Sequence, residues 1–265
     1  MEHSEENTVS AGSSSLSDRQ ILLVDDNKVN QFLGKRILSN LGVTAVEVAS
    51  SGEEAFSKVN AGHFDIILTD VEMPGMTGYE LCQKIRATES ASNRHIIIAL
   101  TANASDEDRA NAEAAGIDDY LTKPYSPQDL LEVLQKNSGN ARPMVMEEMK
   151  AGSDYGIEKV YAVFNHQVND VAQFLKMLQQ QLPALIQDIR DGLSAGPLDK
   201  AFNAAHKLKS PVKLLMNPEF CDRFSQFTES LRHAEQPVSV AAFDEFDRDL
   251  GAVLMLINAE VEKSR

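Results

Sequence analysis

The chain has 265 residues, a formal net charge of -15 at pH 7 and a sequence pI near 4.8. This length allows two domains with separate cores, and the acidity argues against nucleic acid or an anionic membrane as the main partner. The two cysteines lie in different halves of the chain, so they give no support to a disulfide framework or a thiolate metal site.

Residues 1–18 are rich in Ser and Glu and have no apolar periodicity, which predicts a disordered leader. They contain no apolar stretch like that of a signal peptide. The chain also has no apolar run near the length of about 20 residues that a membrane helix needs. We therefore expect a soluble cytoplasmic protein with no membrane segment.

Short apolar runs alternate five times with amphipathic segments in residues 19–138. The predicted strands are Ile21–Val24, Thr44–Ala49, Phe64–Thr69, His95–Leu100 and Ile117–Leu121. The predicted helices are the segment between Asn27 and Gly42, then Glu53–Asn60, Thr77–Ala87, Asp106–Ala115 and Pro127–Lys136. Such alternation predicts an α/β domain with a flavodoxin-like, doubly wound, five-stranded parallel sheet.

Chemically useful side chains follow four of these strands: Asp25 and Asp26, then Asp70, then Thr101, then Lys123. The carboxyl ends of parallel strands share one edge, so the three carboxylates would repel one another unless a cation joins them. Hard oxygen ligands suit Mg²⁺. Asp70 could then accept a phosphoryl group, with Lys123 and Thr101 binding its oxygens.

A simpler explanation exists for each residue taken alone. The acid pair could cap the first helix, Lys123 could merely precede a turn, and Thr101 could merely end a strand. We prefer a shared function because unrelated capping would seldom place an acid pair, an acid, a hydroxyl and a lysine at the ends of different strands of one sheet.

These residues resemble the receiver domain of two-component response regulators and hybrid sensor kinases. The matching motifs are Asp25-Asp26, the segment 69–74 with Gly75 and Gly78, the segment 99–102, and Lys123-Pro124. The resemblance implies that Asp70 is the phosphoacceptor. It implies that the metal ligands are Asp25, Asp26, Asp70 and the backbone carbonyl of Glu72, and that Thr101 and Lys123 contact the phosphoryl group.

The resemblance also assigns a switch role to Tyr120, whose rotamer would report phosphorylation together with Thr101, although a half-buried edge aromatic is the plainer interpretation. It implies a cis peptide bond between Lys123 and Pro124. From their location alone, Glu72 and Asn103 are candidates for setting the lifetime of the phosphoryl group.

Residues 139–156 interrupt the apolar period and predict a linker. Beyond them, residues 157–265 predict a helical bundle with an extra leading helix. The predicted helices are Ile157–His166, Val168–Gly192, Leu198–Met216, Glu219–Ala234 and Val240–Glu262. The fold class is therefore α/β followed by all-α.

His206, Lys209 and Lys213 are spaced to present an imidazole and two ammonium groups on one exposed helical face. An exposed imidazole can accept a phosphoryl group, and nearby cations would stabilise its charge. The alternative is an ordinary histidine on a solvated basic face. The segment from Ala205 to Lys209 lies among amphipathic helices and resembles a histidine-containing phosphotransfer (HPt) domain. The resemblance implies that His206 carries the phosphoryl group and that Lys209 supports it.

The match to that second family departs from its pattern downstream of the histidine. The family usually has glycine after the lysine and again near the end of the motif, whereas this chain has Ser210 and Met216. Pro211 lies inside the predicted helix, where proline removes a backbone hydrogen bond and tends to bend the helix. We expect the geometry after His206 to be affected.

The combination predicts a phosphorelay protein, in which phosphoryl groups move between Asp70 and His206 or between each of them and outside partners. Those partners would be a sensor histidine kinase and other receiver or HPt proteins, and not nucleic acid. The chain shows no ATP-binding motif, so it would be a phosphotransfer intermediate, and the tail of a hybrid kinase would have the same sequence features.

The alternative is a degenerate bundle that only docks or dimerises under control of receiver phosphorylation. Exposure of His206 beside Lys209 would favour the relay, and a buried or hydrogen-bonded imidazole would favour docking. A transcription factor is poorly supported, because the second half has no basic recognition helix.

Overall fold

The structure is a computed structural model and describes residues 16–90, 93–101, 106–123, 125–137, 155–194, 197–232 and 238–263. In its first half, five parallel strands form one sheet in the order β2-β1-β3-β4-β5. They are β1 (Gln20–Val24), β2 (Ala45–Ala49), β3 (Ile66–Asp70), β4 (Ile96–Thr101) and β5 (Asp119–Thr122). This is the flavodoxin-like strand order, and the predicted fold class is confirmed.

A helix follows each strand of the sheet. These helices are α1 (Lys28–Asn40), α2 (Gly52–Ala61), α3 (Gly78–Thr88), α4 (Asp106–Ala115) and α5 (Pro127–Asn137). The Asn27 side chain caps α1 by accepting from the Val29 N–H, and Thr77 with Glu80 forms a capping box on α3. Local polar residues therefore decide where both helices begin.

The sheet is covered on both faces, which explains why its strands are continuous apolar runs. Along β1, Ile21 and Leu23 join a hydrophobic cluster with α1 and α5, whereas Leu22 and Val24 join the cluster on the opposite face. Successive side chains of a strand point to opposite faces, so each strand contributes to both clusters. The strand ends are consequently held in a rigid layer.

The second half is all-α, as predicted. Its helices are α6 (Ile157–Val163), α7 (Val168–Ser194), α8 (Leu198–Leu215), α9 (Pro218–Arg232) and α10 (Ala241–Lys263). The predicted first helix extended to His166, but Asn165 and His166 have φ values of 50° and 56°. That left-handed backbone is incompatible with continuing the helix, so α6 ends earlier.

The two halves pack against each other through α1. The cluster on the α1 side of the sheet continues into the core of the bundle. The Phe32 ring of α1 lies 6.0 Å from the Phe164 ring, and Arg36 Nη2 lies 3.0 Å from Asp170 Oδ1. This packing determines which face of the bundle meets the receiver half.

The fold revises one sequence prediction and agrees with another. Residues 16–18 form a short 3-10 helix, and Leu16 packs against the core, so the disordered leader predicted for residues 1–18 does not extend to 18. Pro211 lies inside α8, and α8 continues through it to Leu215, one residue short of the predicted end at Met216. The proline does not end the helix, because the bundle core holds the segment on both sides of it.

Candidate functional site

The carboxyl edge of the sheet brings together Asp25, Asp70 and Lys123, as the sequence predicts. Lys123 Nζ lies 2.6 Å from Asp25 Oδ2 and 2.7 Å from Asp70 Oδ2. All three side chains are buried. The lysine therefore bridges the acid that follows β1 and the acid that ends β3.

Asp26 completes a cluster of three carboxylates with Asp25 and Asp70. One oxygen from each residue lies within 4.8 Å of those from the other two. Asp25 is oriented by the Asn27 N–H, at 2.9 Å, and by Asn30 Nδ2, at 3.2 Å. A set of three hard oxygen ligands with a partly open side has the chemistry that Mg²⁺ requires.

Burial and neighbouring charges compete in the electrostatics of this edge. Burial raises the pKa of Asp70 to about 6, against the attraction of Lys123 and His206 and with a further contribution from the negative charge of Asp25. Burial acts to lower the pKa of Lys123, but the carboxylates of Asp25 and Asp70 raise it. Lys123 is therefore a permanent cation in the site.

The turn after β3 holds Asp70 in place. The Glu72 N–H donates to Asp70 Oδ1 at 3.2 Å. The start of α3 approaches the same backbone, because the Gly78 N–H donates to the Val71 carbonyl at 2.9 Å. The sequence motif of Pro and Gly after Asp70 therefore brings a helix N-terminus against the end of the strand.

We predict that Gly78→Ala destabilises the protein. A Cβ at this position would lie 2.3 Å from the Asp70 carbonyl oxygen and 3.0 Å from Val71 Cα, and neither backbone atom can move aside easily. The expected loss is about 1–3 kcal/mol in urea denaturation. Gly62→Ala is the control, because its nearest contact is the Lys58 carbonyl at 3.7 Å. Equal stability of the two variants would contradict the prediction.

Thr101 lies on β4, the strand beside Asp70, and Tyr120 lies on β5, one strand further from Asp70. Thr101 is buried at the end of β4, and its carbonyl accepts the Lys123 N–H at 2.7 Å. Tyr120 lies on β5 and is 36% exposed. Their predicted roles at the phosphoryl group and in switching stay predictions. Asn103 and Pro124, and with Pro124 the predicted cis bond, lie outside the described residues.

His206 of α8 faces this edge of the sheet. Its Nδ1 lies 2.7 Å from Glu72 Oε2, and its side chain is 14% exposed. Phe202 stacks on the imidazole with the ring centroids 6.0 Å apart. His206 and Asp70 line one narrow pocket, together with Asp26, Asn27, Asn30, Lys123, Lys207, Lys209 and Ser210.

The prediction that His206, Lys209 and Lys213 form an exposed basic face is wrong. His206 is covered because the receiver half lies over it. Lys209 is buried, with Nζ 3.4 Å from Glu229 Oε1, and Lys213 Nζ donates to the Lys123 carbonyl at 3.1 Å. The His206 imidazole is therefore not exposed, as the relay prediction expected it to be. It is covered by the edge of the sheet that carries Asp70.

Sequence reasoning missed the charged contacts between the halves. Lys207 Nζ lies 2.8 Å from Asp26 Oδ2, and Arg232 Nη2 lies 2.6 Å from Glu72 Oε1. Burial acts to raise the pKa of Glu72, but His206 and Arg232 outweigh it and lower the pKa to about 2. The only sequence signal was that Lys207 neighbours a candidate phosphohistidine.

Comparison with known proteins identifies both halves. Residues 21–135 match the response regulator receiver domain, and residues 173–256 match the Hpt domain. The sensor histidine kinase GacS of Pseudomonas protegens is 30% identical over 247 residues, which cover 88% of this chain and 26% of GacS. The chemotaxis protein CheY of Pseudomonas aeruginosa is 35% identical over 117 residues, 44% of this chain and 94% of CheY.

A solved receiver domain of a sensor histidine kinase from Pseudomonas aeruginosa is 40% identical, with a TM-score of 0.43. It covers 46% of this chain and 98% of its own, and a magnesium ion is coordinated in its active-site cleft.

The chain belongs to the response-regulator receiver family and carries an Hpt domain after its receiver domain, as hybrid sensor kinase tails do. This pair of domains, with sensor kinases among the relatives, supports a phosphorelay role, and the alternative of a bundle that only docks or dimerises is not favoured. The chain spans about a quarter of the length of GacS. Within the described ranges, no helix combines the length and hydrophobicity needed to cross a bilayer.

Proposed function

We propose that a phosphoryl group moves between Asp70 and His206 within a single chain. The observation that carries this proposal is that the two side chains line the same narrow pocket between the receiver and the Hpt domain. Both chemically competent acceptors therefore border the same space between the two domains.

We assign Nε2 as the nitrogen that bonds phosphorus, because the Glu72 carboxylate already lies 2.7 Å from Nδ1. In transfer to the receiver, an Asp70 oxygen lone pair forms the new P–O bond, and the electron pair of the broken P–N bond returns to Nε2. The reverse step breaks the P–O bond and forms the P–N bond.

The remaining predicted residues act around the transferred group. Lys123, already between Asp25 and Asp70, supplies a cation for the phosphoryl oxygens, and the Thr101 hydroxyl supplies a donor. Lys209 supports the phosphorylated imidazole through its charge in the pocket lining. Tyr120 and Thr101 form the switch that reports phosphorylation.

Mg²⁺ is the proposed cofactor, held by Asp25, Asp26 and Asp70 with the backbone carbonyl of Glu72. The three carboxylates fit a divalent cation because their oxygens already converge. When bound, the ion would neutralise negative charge on the phosphoryl oxygens. The protein residues position Asp70 whether or not the ion is there, through Lys123 and the Glu72 N–H.

We predict that Asp26→Asn weakens Mg²⁺ binding by at least about tenfold, because a neutral amide replaces one of three anionic ligands. Titration calorimetry with MgCl₂ measures this without any phosphodonor. Asp129→Asn is the matched control, since Asp129 is an exposed carboxylate of the same domain. An unchanged dissociation constant for Asp26→Asn would remove Asp26 from the metal site.

Transfer within one chain is tested by mixing. The wild-type chain is treated with radiolabelled acetyl phosphate and MgCl₂, and base-stable label, which marks phosphohistidine, is followed over a range of protein concentrations. The proposal expects a rate that does not depend on concentration. It also expects that a mixture of Asp70→Asn and His206→Gln chains gains base-stable label far more slowly. A rate proportional to concentration would overturn transfer within the chain.

Glu72 also contributes to the proposed lifetime of the phosphoryl group, since its carboxylate lies beside the pocket and contacts His206.

The proposed domain limits are 19–138 for the receiver, 139–156 for the linker and 157–265 for the HPt-like bundle. The proposed partners are a sensor histidine kinase and other receiver or HPt proteins, without nucleic acid. The proposed compartment is the cytoplasm, which suits the two free, buried cysteines, Cys82 and Cys221.

A further inference from the structure

Pro211 changes the hydrogen bonding of α8 at the surface that meets the receiver. In an α-helix, each carbonyl accepts the N–H four residues later. Proline has no N–H, so Pro211 cannot bond the carbonyl of Lys207, which lies four residues before it in the same helix. That carbonyl is left as an acceptor for another donor.

The donor is the Asn27 side chain of the receiver. Asn27 Nδ2 lies 2.9 Å from the Lys207 carbonyl oxygen and donates to it. The orientation of the amide is determined by its other end, because Asn27 Oδ1 accepts the Val29 N–H at 3.0 Å and Gln181 Nε2 at 3.1 Å. Only Nδ2 is left to face α8.

Burial makes this contact significant. Asn27 is 2% exposed, so an amide without its partner there would lose a hydrogen bond that water could not easily replace. Asn27 also joins the receiver to two helices of the bundle at once, α8 through Lys207 and α7 through Gln181. The residue that caps α1 is therefore also a docking residue.

We propose that Pro211 and Asn27 form a latch by which this receiver selects its own Hpt domain. The inference rests on the proposed transfer between Asp70 and His206, because the latch holds the domains in the arrangement that transfer needs. With any other residue at position 211, the N–H of that residue would donate to the Lys207 carbonyl within the helix. The carbonyl would then be a poorer acceptor for the Asn27 side chain. Pro211 is thus a specificity-determining residue and not a defect of the motif.

The latch is tested in the full chain by the distance between two spin labels. The labels are attached at Ala61→Cys in α2 and Met255→Cys in α10, both at exposed positions. The measurement uses the salt concentration at which docked and undocked chains are both populated, since salt weakens the ion pairs of this interface. No phosphodonor is needed.

Pro211→Ala is expected to lower the ratio of docked to undocked chains about fivefold, the effect of one typical hydrogen bond. Asn27→Ser is expected to lower it at least about fivefold, because serine keeps the cap on α1 but is too short to reach α8 and also lacks the amide oxygen that Gln181 bonds. Adding Pro211→Ala to Asn27→Ser is expected to cause no further loss, because the bond that Pro211 permits is already gone. A further fivefold loss in the double variant, or a ratio for Pro211→Ala within twofold of the unsubstituted chain, would overturn the latch.

Pro183→Ala is the matched control, since Pro183 also lies inside a helix but is exposed. Both proline variants are expected to raise the thermal midpoint by about 5 °C, because proline strains a helix interior. Only Pro211→Ala should loosen docking. A shift of docking in both would indicate a general effect of helix strain. Phosphoryl transfer is assayed separately. If the docking results are as expected but the chain shows no transfer, the proposed function is refuted and the latch is not.

Discussion

Replacing Asp70 by asparagine is expected to abolish labelling of the chain by acetyl phosphate. Asparagine has nearly the same shape but lacks the anionic oxygen that attacks phosphorus, and loss of a nucleophile lowers a rate by at least about a thousandfold. The substitution also leaves Lys123 with one carboxylate partner in place of two. The measurement is total incorporated label under saturating Mg²⁺.

Two controls make the Asp70→Asn result specific. Asp129→Asn removes an exposed carboxylate of the same domain and is expected to label normally. Circular dichroism should give similar helix content for both variants. Substantial label on Asp70→Asn that is stable to acid and labile to base would mean that another carboxylate accepts the phosphoryl group.

Replacing His206 by glutamine is expected to eliminate base-stable label while Asp70 still becomes phosphorylated. Glutamine fills similar volume in the pocket but cannot form a P–N bond. Label should therefore accumulate on Asp70, in base-labile form, because one route for its removal is closed. The expected fall in base-stable label is to background, at least about a hundredfold.

The matched control is His166→Gln, an exposed histidine of the same domain. It should show the same base-stable label as the wild-type chain. If His206→Gln kept base-stable label at the wild-type level, another histidine would be the carrier and the pairing with Asp70 would be refuted. If neither the wild-type chain nor His166→Gln acquired base-stable label from Asp70, the Hpt domain would have to receive its phosphoryl group from another donor.

The receiver half could be predicted almost completely from sequence. Its strands are short apolar runs covered on both faces, and caps such as Asn27 set the helix starts. The acids and the lysine converge because parallel strands end at one edge, whichever helices cover the sheet. In the bundle, the prediction of a helix end failed where the backbone of a single residue stops the helix, as at Asn165, whose φ is 50°.

The site on the bundle was only half predictable. Helical spacing places His206, Lys209 and Lys213 on related faces, but it does not reveal which neighbour covers them. The Lys209 ammonium pairs with Glu229, and the Lys213 ammonium donates to the Lys123 carbonyl of the receiver. An amphipathic pattern reports only that a face is polar, and both solvent and a charged domain surface satisfy that pattern.

The sequence by itself determined the two folds and the cluster at the strand ends, because both follow from local periodicity and from residues at element ends. Its resemblance to the HPt family singled out His206 as the candidate phosphohistidine. Only the tertiary structure decided that His206 faces Glu72 and Asp70, that Lys207 pairs with Asp26, and that Asn27 bonds α8 across 180 positions. Such contacts depend on how two finished surfaces fit together. Pro211 shows the difference: in the sequence it is a break in a motif, and in the structure it leaves a carbonyl that the other domain binds.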